Sequence, residues 1–208
     1  MIYLWDNRAE VLTLLWQHLH MTGLALGIAV AIAVPLALLV SRWRWLNVPV
    51  LGSLGVLYTI PSLALIIFLV PFFGLNARSV VVAMVLYTQV ILVRNLTVGL
   101  AGINPAILEA ARGMGMTPWQ RWWQVQVPLV LPVFLAGVRI AAIVAIAIAT
   151  LGAKFNAGGL GKLLFDGIQT NRYDKIVAGS VAVAALALGI NALLVGLEYR
   201  SQPRRLGD

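Results

Sequence analysis

Long apolar runs dominate the chain and recur at the spacing of membrane spans. A transmembrane α-helix needs roughly 20 consecutive, mainly apolar residues, and five stretches of that kind are separated by polar segments. The pattern predicts an all-α membrane protein with five transmembrane helices. Their predicted positions are about 20–41, 50–72, 79–100, 129–151 and 177–198.

The polar segment between the third and fourth runs begins with the pattern of a short capped helix. Asn104 is a residue type that caps helix N-termini, and Pro105 suits the first helical position. Gly113 and Gly115 can end this helix, because glycine readily adopts the left-handed conformation that follows many helices. The sequence therefore predicts a short helix that opens at Pro105 and is stopped by the glycines at 113 and 115.

A second short helix is predicted directly after the glycines. Thr117 can cap it, Pro118 can open it, and Gln120 stands at the capping-box position three residues after the cap. A helix-turn-helix between two spans suits docking into a partner protein. The capping pattern carries no function of its own, so an ordinary loop at the membrane surface remains the alternative.

Composition excludes several classes of protein. With 61% hydrophobic and 11% charged residues and a mean hydropathy of +0.93, the chain is too apolar for a soluble domain, and residues 1–208 are predicted to form one polytopic domain. The absence of cysteine excludes disulfides and thiolate metal sites. Asp6, Arg8 and Glu10 precede any long apolar run, so no cleavable signal peptide is expected.

The net charge of +8 is interpreted as a topology signal rather than as a sign of nucleic-acid binding. Lys and Arg accumulate on the cytoplasmic side of membrane proteins, and this modestly favours an N-terminus outside and a cytoplasmic C-terminus. In that orientation the predicted cytoplasmic arginines are Arg42, Arg44, Arg112, Arg121, Arg200, Arg204 and Arg205.

Small residues recur every four positions in the first and last predicted spans, where they would let helix backbones approach closely. The first series is Gly23, Gly27 and Ala31, and the last span contains Ala185 and Gly189. Packing within the bundle is the preferred interpretation of the first series, with a dimer seam as the alternative.

Three polar side chains fall within or beside apolar runs. Arg139 lies near the middle of the fourth predicted span, where a charge is costly unless it faces protein or water. It is predicted to lie on a translocation path or subunit seam, or else to contact a backbone carbonyl inside the bundle. Arg94 and Asn95 lie towards the cytoplasmic end of the third span, and Arg94 is close enough to extend its charge to the interface.

Pro61 interrupts the second predicted span, and it is flanked by Thr59 and Ser62. The carbonyl freed by this proline could line a pathway, or a nearby side chain could satisfy it. No Asp or Glu lies inside a predicted span, and Glu198 stands at the edge of the last one. A proton-coupled carrier would need such a carboxylate, so proton coupling is not expected.

No enzyme or metal site is predicted. His18 and His20 have no Cys or paired carboxylates beside them, so an interfacial role is favoured over a metal site. The glycine-rich run 156–163 fails as a phosphate loop, because Asn156 replaces the first glycine and Leu163 replaces the Ser or Thr that binds magnesium. The segment from about 152 to 175 is predicted to be an outer loop with a short helix near 161–168. It could also act as a gate and as a landing site for a substrate-binding protein.

The segment between the third and fourth spans resembles the EAA signature of ABC-importer permeases. The match consists of Glu109-Ala110-Ala111, Gly115, Val125 and Val127-Pro128, with Val125 and Val127 standing where the family prefers Ile and Leu. The resemblance implies a type-1 transmembrane domain with a core of about 16–199. It also implies a coupling loop at about 104–128 that docks onto a separate ATP-hydrolysing subunit. The coupling residues would be Glu109, Ala110, Ala111, Gly115 and Pro128.

Other motifs resemble the permeases that take up glycine betaine, carnitine and choline. They are 59–65 (TIPSLAL), 71–75 (PFFGL), 136–139 (AGVR), 157–161 (AGGLG) and 167–170 (GIQT). The resemblance implies a five-span, methionine-importer-type core in the bacterial cell membrane. The implied partners are an ATP-binding subunit, a second permease copy or paralogue, and an extracytoplasmic substrate-binding protein, and no cofactor is implied.

Residues 152–156 (GAKFN) depart from the apolar version common in that family, which leaves the exact solute open. One alternative is an importer of the same architecture for an amino acid or another small solute. A non-transporting membrane scaffold is the alternative from another class. A quaternary ammonium group is recognised by aromatic rings, and no aromatic cage is visible in the sequence.

Overall fold

The computed structural model describes residues 2–202 of the 208-residue chain, and the described part is helical without β-strands. Arg204 and Arg205, two of the arginines predicted to be cytoplasmic, lie outside the described residues. The helices are α1 (Ile2–Asp6), α2 (Arg8–Arg42), α3 (Asn47–Thr59), α4 (Ser62–Phe73), α5 (Ala77–Ala101), α6 (Pro105–Gly113), α7 (Pro118–Arg121), α8 (Val127–Gly152), α9 (Gly161–Gln169) and α10 (Tyr173–Ser201).

The described helices provide the five predicted spans, four of them as unbroken helices. The helices at 8–42, 77–101, 118–155 and 173–201 are each long and apolar enough to cross a membrane. The fifth is a bent pair, 44–59 with 62–73, whose two parts meet at 96°. The predicted interruption of this span at Pro61 is confirmed, because the chain leaves the helical conformation at Ile60 and Pro61.

Helix α2 begins at Arg8, well before the predicted start near residue 20. Its first fifteen residues contain neither Gly nor Pro, and nothing in the backbone therefore stops the helix where the hydropathy falls. Hydropathy locates the part of a helix that suits lipid and not the end of the helix itself.

An alanine stripe on α2 packs against α5 in the core of the bundle. Ala25, Ala29, Ala33 and Ala37 are each at most 1% exposed, and the Gln89 side chain on α5 donates a hydrogen bond to the Ala29 carbonyl at 3.1 Å. Small side chains at every fourth position allow this close approach between helices.

The predicted packing stripe of Gly23, Gly27 and Ala31 is wrong as an intramolecular contact, since these positions are exposed. A Cβ atom built on Gly23 or Gly27 would meet nothing within 4 Å. The alanine stripe begins two positions later, about 200° around the helix at 3.6 residues per turn. Both stripes repeat every four residues, so spacing alone could not choose between them. Ala185 and Gly189 on α10 are also exposed.

Helices α5 and α8 pack so closely that glycine is required on α8. A Cβ atom on Gly137 would lie 2.7 Å from the Asn95 Cβ, and one on Gly152 would lie 2.6 Å from a Val80 methyl group. Side chains other than hydrogen cannot fit at these separations. The two glycines therefore set the distance between the central helices.

The loop between α8 and α9 is held against α2 by two side chains. Gln17 Oε1 accepts a hydrogen bond from the Gly159 N–H at 3.1 Å, and His18 Nδ1 accepts one from the Leu160 N–H at 3.3 Å. His18 is fully buried, so the predicted interfacial role is wrong for this residue, whereas His20 is exposed. The short helix predicted at about 161–168 is confirmed as α9.

Candidate coupling surface and membrane pathway

Helix α6 is capped at both ends by the residues that the sequence indicated. The Asn104 side chain accepts a hydrogen bond from the Ala106 N–H at 3.0 Å. At the other end Gly115 has a φ of +77°, and its N–H donates to the Arg112 carbonyl at 2.9 Å. The Met116 N–H donates to the Ala111 carbonyl at 3.1 Å. This pair of bonds is a Schellman motif, which satisfies carbonyls that the helix end would otherwise leave free.

Helix α7 begins with the predicted capping box. The Gln120 N–H donates to Thr117 Oγ1 at 3.3 Å, and the Thr117 N–H donates to Gln120 Oε1 at 2.8 Å. The reciprocal bonds fix the direction in which the chain leaves the glycine turn. The two-helix interpretation of this segment is therefore confirmed.

The α6–α7 segment presents large apolar side chains on its surface. Met114 is 72% exposed, Trp119 69% and Trp123 51%. The Trp119 and Trp123 rings meet edge to face, with centroids 5.5 Å apart. Exposed aromatic and methionine side chains are enriched in protein–protein contacts, and exposed Trp side chains also occur at the membrane–water interface.

The EAA-like residues are divided between this surface and the interior of the segment. Glu109, Ala110, Gly115 and Pro128 are exposed, whereas Ala111 is buried. The buried alanine supplies the carbonyl of the Schellman motif. Ala111 therefore takes part in the C-terminal cap of α6, and the other four residues lie at the surface.

A π-helical stretch, Trp122–Gln126, joins α7 to α8 without an intervening loop. Such π-helical turns are rare and are frequently found at functional sites. No pattern in the sequence predicts it. A cavity of about 510 Å³ lies between this stretch, the ends of α2 and α5 and the start of α6, and Arg44, Thr97, Trp122 and Gln126 are among its lining residues.

The break in the second span brings together the predicted pathway residues Thr59, Pro61 and Ser62. Thr59 and Pro61 are exposed and Ser62 is half-buried. Thr59 Oγ1 donates to the Val56 carbonyl at 2.7 Å, which satisfies one carbonyl of the α3 terminus. These residues lie at the junction of two half-helices rather than within a continuous span.

The other predicted pathway residues lie on α5 and α8, at some distance along the chain from the break. Arg94 is exposed. Asn95 donates to the Ile91 carbonyl at 2.8 Å and also contacts Gly137. Arg139 forms an ion pair with Glu198, with an Nε–Oε2 distance of 3.5 Å. Sequence reasoning missed this pair, because the two residues lie on different helices and Glu198 was assigned to the edge of its span.

A polar cavity of about 720 Å³ lies between the start of α2 and the loop from α8 to α9. Glu10, Gln17, Lys162 and Asp166 line it, and Asp166 also pairs with Lys175 at 3.3 Å. Among residues 2–202 no group of three or more His, Cys, Asp and Glu side chains could hold a metal ion.

Comparison with known families identifies the class. Residues 23–207 match the family described as "Binding-protein-dependent transport system inner membrane component", and the chain belongs to that family. It is an inner-membrane permease of the ABC transporter class.

Three relatives match over nearly the whole chain. The osmoprotectant import permease protein OsmW of Salmonella typhimurium is 38% identical, covering 97% of this chain and 96% of its own. The carnitine transport permease protein OpuCB of Listeria monocytogenes is 36% identical, covering 98% and 93%. The glycine betaine/carnitine/choline transport system permease protein OpuCB of Bacillus subtilis is 32% identical, covering 99% and 95%.

Solved structures share the fold at low sequence identity. The inward-facing methionine ABC transporter MetNI aligns with a TM-score of 0.79 at 20% identity, over 95% of this chain and 99% of the other. An amino acid ABC transporter solved with histidines aligns with a TM-score of 0.76 at 18% identity, over 96% and 97%. The predicted methionine-importer-type core is confirmed.

Proposed function

We propose that this chain is the permease subunit of an ATP-driven importer that takes up a quaternary-ammonium osmoprotectant, such as glycine betaine, choline or carnitine. The observation that carries the proposal is the 32–38% identity to permeases named for these solutes, over at least 97% of the chain. Similarity at this level along a whole membrane domain supports a common solute class.

In this proposal ATP is hydrolysed on a separate subunit that docks on the α6–α7 segment. Glu109, Ala110, Gly115 and Pro128 contribute to the contact, and Ala111 supports it from inside. The exposed Trp119 adds apolar area. The docking requires a cytoplasmic α6–α7 segment, and hence an extracytoplasmic N-terminus and a cytoplasmic C-terminus.

A substrate-binding protein delivers the solute on the opposite face, where the loop between α8 and α9 and the polar cavity beside it lie. Two permease copies, or this chain and a paralogue, enclose the path. Thr59, Pro61 and Ser62 line it at the broken span, and Arg94, Asn95 and Arg139 lie on its wall or at the subunit seam.

Reconstitution tests the proposal. The permease, its ATPase and its binding protein are incorporated into liposomes, with ATP supplied on the coupling side and labelled choline, glycine betaine or carnitine on the other. Transport that requires both ATP and the binding protein is expected. Because no Asp or Glu lies in the interior of a predicted span, a pH gradient without ATP is expected to drive no uptake.

Two results would redirect the proposal. Uptake of an amino acid, with none of any quaternary ammonium compound, would assign the chain to an amino-acid importer of the same architecture. Normal membrane insertion with no transport of either solute class and no binding to an ATPase would support a membrane scaffold.

A further inference from the structure

Two tyrosines that are distant in the sequence meet beside the break in the second span. The ring centroids of Tyr58 on α3 and Tyr87 on α5 are 5.4 Å apart, and the ring planes are inclined by 56°. Tyr87 is 7% exposed and Tyr58 is 43% exposed. The core therefore fixes one ring, and the second ring stands against it with much of its surface uncovered by the described chain.

The backbone beside these rings has unused hydrogen-bonding capacity. Helix α3 ends at Thr59 and the chain turns through 96° into α4. Among the described residues no backbone N–H donates to the carbonyl oxygens of Tyr58 and Thr59. Irregular backbone at membrane depth is tolerated only where it is buried in protein or lines a water-filled cavity. The exposed side of this break therefore faces a pathway or a partner subunit and not lipid tails.

The site lies midway along the spans. Tyr87 is the eleventh of the 25 residues of α5, and Tyr58 comes just before the junction that divides the second span into two half-helices. In secondary transporters with discontinuous helices, substrate sites are found near the bilayer midplane at such breaks. The midway position of the two tyrosines along their spans and the break in the helix therefore both indicate a candidate solute site here.

The chemistry of this position suits a cation that cannot donate hydrogen bonds. A quaternary ammonium group has no N–H, and it binds by placing its diffuse positive charge against aromatic faces. The free carbonyls at the α3 terminus add the negative end of the helix dipole. Two aromatic rings and a carbonyl-rich helix end are thus combined at one place, although no cage was visible in the sequence.

We propose that Tyr58 and Tyr87, with the carbonyl groups of Tyr58 and Thr59, form a transient binding site for the quaternary ammonium group of the transported solute. This inference rests on the proposed function. The solute meets the site after it leaves the binding protein and before it reaches the coupling side.

Stepwise fluorination tests the interaction while preserving ring size. Position 58 is changed to Phe and then to Phe carrying one, two and three ring fluorines, in the permease–ATPase complex in nanodiscs without the binding protein. Fluorine withdraws charge from the ring face, and the Kd for labelled choline is therefore expected to rise at each step. The whole series should raise it roughly 5- to 30-fold. Binding of 3,3-dimethylbutanol, a neutral molecule of the same shape, should stay constant.

Phe72 on α4 provides the matched control. Like Tyr58, it lies on the second span, is exposed (70%) and packs against another aromatic ring, that of Phe68, with ring centroids 5.7 Å apart. The same fluorination series at Phe72 is expected to leave choline binding unchanged.

The outcomes separate this inference from the proposed function. A Kd for choline that stays constant across the fluorination series at position 58, or that changes equally at positions 58 and 72, would overturn the binding site. Choline transport by the wild-type importer would in that case still support the proposed function. Absence of quaternary-ammonium transport by the complete wild-type importer would instead overturn the proposed function, and the site with it.

Discussion

Arg139 on α8 and Glu198 on α10 form an ion pair, with 3.5 Å between Arg139 Nε and Glu198 Oε2. Their side chains are 32% and 23% exposed. Within the described part of the chain Arg139 Nε makes no hydrogen bond. The contact with Glu198 is therefore an ion pair that lacks a hydrogen bond from this nitrogen. The partner is a carboxylate, whereas the sequence suggested a carbonyl as the structural alternative. The pair connects the fourth span to the last one.

Neutralising Glu198 is expected to destabilise the bundle more than neutralising both partners. Glu198→Gln leaves the half-buried Arg139 charge uncompensated, at a cost of about 1–3 kcal/mol, between the values for exposed and buried pairs. The double variant with Arg139→Gln should recover most of the loss. Thermal unfolding in detergent measures both, and Glu109→Gln at an exposed position is the control. A double variant that is no more stable than Glu198→Gln would contradict coupling between the two residues.

Gly115→Ala is expected to weaken attachment of the ATPase. The space around this position is open, so the cost arises from the left-handed backbone (φ +77°) and amounts to about 1–2 kcal/mol. The turn between α6 and α7 would shift as a result. Co-purification of the ATPase and solute-stimulated hydrolysis are the measurements.

Gly113→Ala is the matched control for that experiment. Gly113 has equal space but belongs to helix α6, where alanine is the better residue by about 1 kcal/mol. This variant should keep ATPase attachment. Equal behaviour of the two variants would refute the assigned importance of the turn at Gly115.

Gly137→Ala is expected to destabilise the central helix pair by about 1–3 kcal/mol, because the new Cβ would lie 2.7 Å from the Asn95 Cβ. Asn95→Gly in the same chain removes the obstructing atom and should restore part of the stability. Gly189→Ala on α10, where a Cβ atom would meet nothing within 4 Å, should not destabilise the protein and is expected to stabilise it by up to about 1 kcal/mol, because alanine is the better helix residue. The measurement is the unfolding midpoint of the wild type, the two single variants and the double variant. An unchanged midpoint for Gly137→Ala would show that α5 and α8 can move apart without loss of stability.

His18→Leu is expected to release the loop between α8 and α9. The buried Leu160 N–H would lose its acceptor, which costs about 1–3 kcal/mol. Faster amide hydrogen exchange at residues 157–161 is the expected result. His20→Leu, an exposed histidine two positions away, should leave exchange unchanged. If His18→Leu also leaves it unchanged, the loop does not depend on this bond.

Local patterns predicted the short elements well. The caps at Asn104 and Thr117 and the glycine turn are all present, because capping depends on a few neighbouring residues and the side chains that can bond them. The proline break in the second span was also visible, since Pro61 cannot continue a helical ladder. Its 96° bend was not predictable, because neighbouring helices set the angle.

Contacts between helices were beyond the reach of sequence patterns. Spacing could not decide which small-residue stripe of α2 faces α5, since both repeat every four residues. The Tyr58–Tyr87 contact and the Arg139–Glu198 pair join residues 29 and 59 positions apart. Such pairs depend on which helices lie side by side in the bundle. The local sequence around either residue does not specify that arrangement.

Residues 118–155 form one continuous helical segment, and this continuity determines which span would move together with α7. Helix α6 is separated from α7 by a glycine turn that can act as a hinge, whereas α7 continues into α8 through the π-helical stretch. In the proposed function, a force that the ATPase applies at Trp119 is transmitted along this continuous helical segment towards Gly137 and Arg139. The extra residue in the π-helical turn is the place where that segment can twist. In the proposed function, the stroke of the ATPase would therefore reach the fourth span, and the glycine turn would largely isolate α5 from it.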